Sequence, residues 1–215
     1  MIERSKLRDV IKANPILAIL RNVADEQLIS YVQAVMNGGV RFFEVALNTK
    51  NAFEQIRLLK AAYGNELYVG AGTVLTKELA ETAIKSGADF LLSPSSDTEV
   101  LAYCSKMDIP LIPGALTPSD VSKCIAYGFS DIKLFPAGEM PASYIKSLKG
   151  PFEETEYISI GGVNGNNIQE FFQSGYIGAG LGSNLMPPDI CRNECWADGT
   201  EYVKNLIKRA GGDRK

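Results

Sequence analysis

The sequence predicts an α/β fold, a (β/α)8 barrel, and three observations predict it. Short apolar runs rich in β-formers alternate with amphipathic helical stretches along the whole chain. Eight such runs begin 20 to 26 residues apart, the length of one strand, one three-turn helix and two short connections. No proline-rich linker or low-complexity tract interrupts them, so residues 1–215 are expected to form a single domain. A doubly wound open sheet is the alternative reading of the same alternation.

The runs can be taken in order. ILAILR begins at Ile16, and the helical stretch from Asp25 to Asn37 that follows it stops at Gly38-Gly39. RFFEVAL begins at Arg41 and LYVGAGTV at Leu67; the next helix, from Thr76 to Ser86, stops at Gly87. DFLLS starts at Asp89 and PLIPG at Pro110. Thr117-Pro118 then supplies an N-cap with proline at the first helical position, and that helix is expected to end at Gly128. DIKLFP starts at Asp131 and YISIGG at Tyr157. Asn164 is expected to cap a helix running to Ser174 before Gly175, and IGAGLG, from Ile177, is the eighth strand.

Charge and composition narrow the function classes. Lys and Arg number 22 against 25 Asp and Glu, a net charge of -3, with no block of five or six like charges. A nucleic-acid or membrane-surface binder would carry such a block, so the expected partner is a small molecule, with no nucleic acid and no membrane. No apolar run approaches the ~18 residues of a membrane span. The stretch from Met1 to Asn14 lacks the apolar core of a signal peptide, and four scattered cysteines read as free thiols. A cytoplasmic location is expected. Cys191 and Cys195 could be half of a metal site, yet no third and fourth ligand stand nearby, so ordinary thiols and no metal are expected. The chain has no histidine, which removes Ser-His and Cys-His nucleophile pairs and imidazole zinc sites. Acid–base work falls to Glu, Asp, Lys, Tyr or Cys.

In a barrel, catalytic groups belong near the C-terminal ends of strands, on inward alternate positions. In RFFEVAL, Phe43, Val45 and Leu47 form the uniformly apolar side that suits packing under helices, so Phe42, Glu44 and Ala46 face inward. The same alternation in DIKLFP sends Ile132 and Leu134 outward and leaves Lys133 and Phe135 inside. Desolvation lowers the pKa of a buried amine, and a neutral amine is a nucleophile able to form a Schiff base with a ketone. Two plainer readings stand beside this one: Lys133 pairs with Glu44 as an interior salt bridge, or the strand is shifted and the lysine is solvated. Gly161-Gly162 and Gly180-Leu181-Gly182-Ser183 leave backbone N–H groups bare where barrels build phosphate sites. A bend or a tight contact would also use such glycines. Gly178-x-Gly180-x-Gly182 is a poor dinucleotide fingerprint, because its last glycine is out of place.

The chain resembles the class I aldolases that cleave 2-keto-3-deoxy-6-phosphogluconate (KDPG) and 4-hydroxy-2-oxoglutarate (KHG). The resemblance runs in order through AILR (18–21), GGVRFFEV (38–45), VGAGTVL (69–75), SP (93–94), PLIPGALTPSD (110–120), KLFPAGE (133–139), GPF (150–152) and GGV (161–163). It implies a retro-aldol lyase that uses no cofactor, forms a homotrimer and acts on a phosphorylated keto acid. Lys133 would be the Schiff-base lysine and Glu44 the general acid/base; Arg21 and Thr73 would hold the substrate carboxylate, and Pro94 and Phe135 would wall the pyruvyl carbons. Many members carry Arg where this chain has Asn48, and Thr where it has Ile160. Both positions are expected to face the ligand. The leading substrate is KDPG, releasing pyruvate and glyceraldehyde 3-phosphate. Its C4 epimer 2-keto-3-deoxy-6-phosphogalactonate, toward whose branch Asn48 and Ile160 lean, and KHG are the alternatives. A sugar-phosphate isomerase or a non-catalytic phosphate-binding barrel would keep the glycine loops but have no need of an amine at position 133.

Overall fold

Each apolar run becomes a parallel strand. A computed structural model describes residues 1–211, and the end of the expected 1–215 unit, residues 212–215, lies outside the described residues. The strands are β1 (Ile16–Leu20), β2 (Phe42–Ala46), β3 (Tyr68–Gly72), β4 (Phe90–Leu92), β5 (Leu111–Ile112), β6 (Gly114–Ala115), β7 (Asp131–Leu134), β8 (Glu156–Ile160) and β9 (Gly178–Leu181). Their order is β5-β4-β3-β2-β1-β9-β8-β7-β6, with every pairing parallel. The two ends of that order are pieces of one expected strand. Pro113 has no N–H and divides it, so β5 pairs with β4 and β6 pairs with β7. The Pro113 carbonyl still accepts from the Lys133 amide at 2.9 Å. The sheet therefore curls into a nearly closed (β/α)8 barrel in which the divided strand is the fifth stave, and the open-sheet alternative falls away.

The helices are α1 (Leu7–Ala13), α2 (Asp25–Asn37), α3 (Ala52–Tyr63), α4 (Lys77–Lys85), α5 (Thr98–Lys106), α6 (Pro118–Ala126), α7 (Tyr144–Lys149), α8 (Ile168–Gln173), α9 (Pro188–Arg192) and α10 (Trp196–Arg209). Local chemistry sets several of their ends. Thr76 Oγ1 accepts from the Leu79 amide at the start of α4. Thr117 and Asp120 form a reciprocal capping box on α6, with Pro118 at its first position. The expectation for Asn164 is corrected: its side chain accepts from the Asn166 amide in a turn, Asn167 occupies the capping position, and α8 starts only at Ile168. Asx turns of this kind compete with helix entry and delay it.

Strand alternation sorts the core into two layers. Outward residues such as Phe43, Val45, Ile132 and Leu134 pack under the helices, while Leu17, Phe42, Phe90, Leu92, Ile112, Ile158 and Ile160 fill the interior. The Phe42 and Phe90 rings stack at 4.2 Å. Ile2, Leu7 and Ile11, from α1 and the segment before it, join the inner cluster. The N-terminal end of the barrel is thus plugged, and open space is left at the C-terminal ends of the strands. No helix among the described residues is long and apolar enough to cross a membrane.

Candidate active site

A cleft of about 750 Å³ opens above the inner core. Glu44, in β2, and Lys133, in β7, enter it from inward positions, as the alternation predicts. They are deeply buried, 1% and 5% exposed. Glu44 finds room because β3 ends in glycine: a Cβ at Gly72 would sit 1.5 Å from Glu44 Oε1. Among the described residues, Lys133 Nζ makes no hydrogen bond or ion pair, and Glu44 Oε2 is buried without a partner. The expected alternative of an interior salt bridge is therefore not what forms; the ammonium instead lies over the Phe135 ring, 4.9 Å from its centroid.

Burial pushes the Glu44 carboxyl above its ordinary range, against the opposing pull of Lys133 and Arg21. Burial also pulls the Lys133 amine down from its ordinary value; Glu44 opposes this and the Arg21 cation reinforces it. Both groups are driven toward their neutral forms, a poise for proton exchange that two solvated side chains would lack.

Arg21 lies just beyond β1 and lines the same cleft. The turn it enters is fixed by Asn22, held left-handed at φ 55°, whose amide donates to Thr49 Oγ1 at 3.1 Å. Thr73 follows β3 with φ 60°, a conformation a β-branched residue adopts only where its surroundings enforce it. Pro94, after β4, and Phe135, after β7, line the cleft on either side of the divided fifth stave, and Asn48 and Ile160 also face the cavity. On the side of β8 and β9 the lining is Gly161, Gly162, Gly182 and Ser183. Gly161 and Gly162 take φ of 88° and 78°, and the Gly161 carbonyl accepts from the Gly138 amide at 2.7 Å, a close backbone approach that no side chain at Gly162 would permit.

All twelve expected site residues thus line one cleft. Sequence reasoning missed others. Ile19 was accessible to the same alternation argument in ILAIL. Gln27 and Tyr31 on α2, and Asn184, Met186 and Cys191 in and before α9, also line it, and no strand period points to them. Cys104, Cys124, Cys191 and Cys195 are free thiols. Among the described residues, no group of three or more His, Cys, Asp or Glu side chains could hold a metal ion.

A family model described as "KDPG and KHG aldolase" matches residues 7–201. A 2-dehydro-3-deoxy-6-phosphogalactonate aldolase of Escherichia coli (strain K12) is 30% identical over 172 residues, covering 80% of this chain and 84% of that protein. A 2-dehydro-3-deoxy-phosphogluconate aldolase of Treponema pallidum (strain Nichols) is 32% identical over 163 residues, 75% of this chain and 77% of that one. Among solved structures, the KDPG aldolase of Legionella pneumophila, with pyruvate captured at low pH as a covalent carbinolamine intermediate, superposes with a TM-score of 0.86 at 28% identity. That match covers 93% of this chain and 97% of the other. With the barrel, the cleft and these likenesses together, the chain belongs to the KDPG and KHG aldolase family and is a carbon–carbon lyase.

Proposed function

We propose that this enzyme is a Schiff-base aldolase that cleaves six-carbon 2-keto-3-deoxy-6-phospho sugar acids to pyruvate and glyceraldehyde 3-phosphate. The observation that carries this reading is the buried pair of Lys133 and Glu44, unbonded to each other, facing one cleft. Neutral Lys133 attacks C2 of the substrate, and loss of water from the carbinolamine gives a protonated imine. Glu44 moves the protons of these steps, directly or through a bound water, and accepts the proton of the C4 hydroxyl. The C3–C4 bond then breaks, its electron pair passing into the imine to leave an enamine and the aldehyde. Protonation of C3 followed by hydrolysis releases pyruvate and frees the lysine.

Arg21 supplies a planar two-pronged donor for the carboxylate, with Thr73 beside it. Pro94 and Phe135 bracket the pyruvyl carbons and shed water from the imine. The backbone at Gly161, Gly162, Gly182 and Ser183 takes the phosphate. Asn48 and Ile160 face the middle of the substrate, where the C4 epimers differ. With an apolar residue at 160, we propose that KDPG and its galactonate epimer are both accepted, with a modest lean to the galactonate. The family resemblance brings a homotrimer and a cytoplasmic location into the same reading, and equilibrium sedimentation tests the first.

Borohydride reduction in the presence of pyruvate, followed by peptide mass mapping, is the direct test. One pyruvyl unit on Lys133 is expected, with turnover undiminished by EDTA. Labelling of a different lysine, no labelling, or loss of activity to the chelator with recovery on adding metal would each overturn the mechanism.

A further inference from the structure

The cleft is also lined by Gln27 and Tyr31 of α2 and by Pro188 and Cys191 of α9, whose polar groups the reaction above does not use. Tyr31 shares that lining with Ser183, Asn184 and Met186 of the β9–α9 connection. Helix side chains tilt toward the helix N-terminus, and α2 starts at the catalytic end of the barrel, so the Tyr31 hydroxyl rises toward the cleft. The ring is held by an edge-on contact with Trp196 at 6.4 Å, and the residue is only 7% exposed. Yet its hydroxyl has no hydrogen-bond partner among the described residues, and it is not among the sealed buried oxygens. It keeps some exposed surface, and Tyr31 is one of the residues that line the cleft. Other polar lining residues are engaged: Gln27 Nε2, one turn before Tyr31 on α2, donates to the Cys191 carbonyl at 3.3 Å, and Asn184 Nδ2 donates to the Val163 carbonyl at 3.0 Å.

A hydroxyl without a protein partner beside a ligand cavity is a donor free to meet a ligand acceptor. The acceptor can be named by charge. Among the described residues that line the cleft, Arg21 and Lys133 are the only cations, and the reading above assigns both to the carboxylate and carbonyl end. A phosphate at the β8–β9 side has only neutral donors to meet it. Burial holds the Tyr31 hydroxyl well above its ordinary pKa, with the Cys191 thiol adding to the effect, so it stays protonated as a donor.

We propose that Tyr31 is a substrate-binding residue that donates its hydroxyl proton to the phosphate of the substrate. This rests on the phosphorylated-substrate reading above and adds a side chain from the helical layer to a subsite otherwise built from strand-end backbone. Hydrogen bonds to charged groups are strong enough that losing one should weaken binding about tenfold or more.

The test is Tyr31→Phe, which keeps the ring against Trp196. Inorganic phosphate binding to parent and variant, measured by titration calorimetry, requires no turnover and is expected to weaken about tenfold. In steady-state kinetics the KM for the 6-phospho sugar acid should rise about tenfold more than the KM for unphosphorylated 4-hydroxy-2-oxoglutarate, with kcat changed less than threefold. Equal phosphate affinity in the two proteins, no phosphate binding by the parent, or parallel rises in both KM values would overturn the proposal. Pyruvate trapping on Lys133 is read in the same samples. If trapping fails in the parent, the Schiff-base reading falls; if trapping succeeds while phosphate affinity is unmoved, only the role of Tyr31 falls.

Discussion

Asp89 and Glu44 are both buried carboxylates, one just before β4 and the other at the middle of β2, and they are treated in opposite ways. Asp89 accepts from the Val69 amide at 2.9 Å and from Lys60 Nζ at 2.8 Å, and its other oxygen lies 3.2 Å from the Met1 ammonium. The pattern repeats along the N-terminal rim. Asp131 accepts from Arg8 Nε at 2.5 Å, and Glu156 meets Lys149 at 2.6 Å. On the cleft side, among the described residues, Glu44 has an oxygen with no partner and Lys133 has no ion pair. Removing charge from water is repaid only by good pairing. The N-terminal rim has that pairing and joins α1 to the barrel; in the cleft Glu44 and Lys133 lack it, and burial drives both toward their neutral forms. Among the buried charged residues described, Asp89 is ion-paired while Glu44 and Lys133 are not, and it is this pair that faces the cleft.

The sharpest way to break this contrast is Lys133→Met. Turnover should fall by about 10⁴-fold or more, since the nucleophile is gone, and borohydride trapping should vanish. Stability should move the other way. The folded pKa of Lys133 is lowered from 10.5, so its contribution to stability is full above that value and is lost as pH falls through the folded pKa. The variant is spared this loss. Its advantage over the parent in thermal unfolding should therefore grow as pH is lowered from the alkaline side.

Glu44→Gln should lower kcat by roughly 10²- to 10⁴-fold, with substrate binding less affected. Its stability sign is worked out in the same way. The folded pKa is raised above 4.5, so the carboxyl favours the fold below that value and the benefit is lost as pH rises through the folded pKa. Glutamine keeps the shape without the ionisation, so the variant should match the parent at low pH and exceed it at pH 7 to 8. Near-parental turnover would reduce Glu44 to an electrostatic companion of Lys133.

At the opposite rim, Asp89→Asn should leave kcat within twofold and destabilise by about 3 kcal/mol, because an amide cannot satisfy both cations it would face. For a chain of this size that is a fall in Tm on the order of 6–12 °C, read by calorimetry. A loss of activity without a loss of stability would erase the distinction between the two rims.

Much of the contrast was legible beforehand. Two-residue alternation put Glu44 and Lys133 inside because their outward neighbours Phe43, Val45, Ile132 and Leu134 are uniformly apolar, and helix stops at Gly38 and Gly87 fell where the glycines stand. What was missed has a common physical origin in tertiary packing. Pro113, lacking an N–H, divides the fifth stave so that its two halves join different ladders, and Asn167 displaces Asn164 through competing side-chain bonds. The segment before Asn14 resembles any mixed polar stretch until Ile2, Leu7 and Ile11 meet the barrel interior. Tyr31 sits on a helix that a strand-based filter never inspects, and it reaches the cleft only because α2 packs beside α10 and faces the β9–α9 connection.

The smallest effect should come from the middle of the cleft, where Ile160 ends β8 at 3% exposure. Apolar contacts separate related ligands by only about 10- to 200-fold, whereas a site built to hydrogen-bond a hydroxyl discriminates far more strongly. Ile160→Thr introduces a hydroxyl at the position proposed to face the carbon where the two C4 epimers differ, and it exchanges a buried ethyl group for that hydroxyl, at a cost of about 2 kcal/mol. The parent should then show kcat/KM values for the gluconate and galactonate substrates within about 100-fold of each other, and the variant should shift that ratio toward the gluconate by about tenfold. The comparison between rims sharpens if this happens with the Lys133 pyruvate adduct unchanged, because specificity is then set by a wall residue independently of the unpaired charges. A parental preference for the gluconate beyond a thousandfold, or an unchanged ratio in the variant, would place the choice of epimer elsewhere along the cleft.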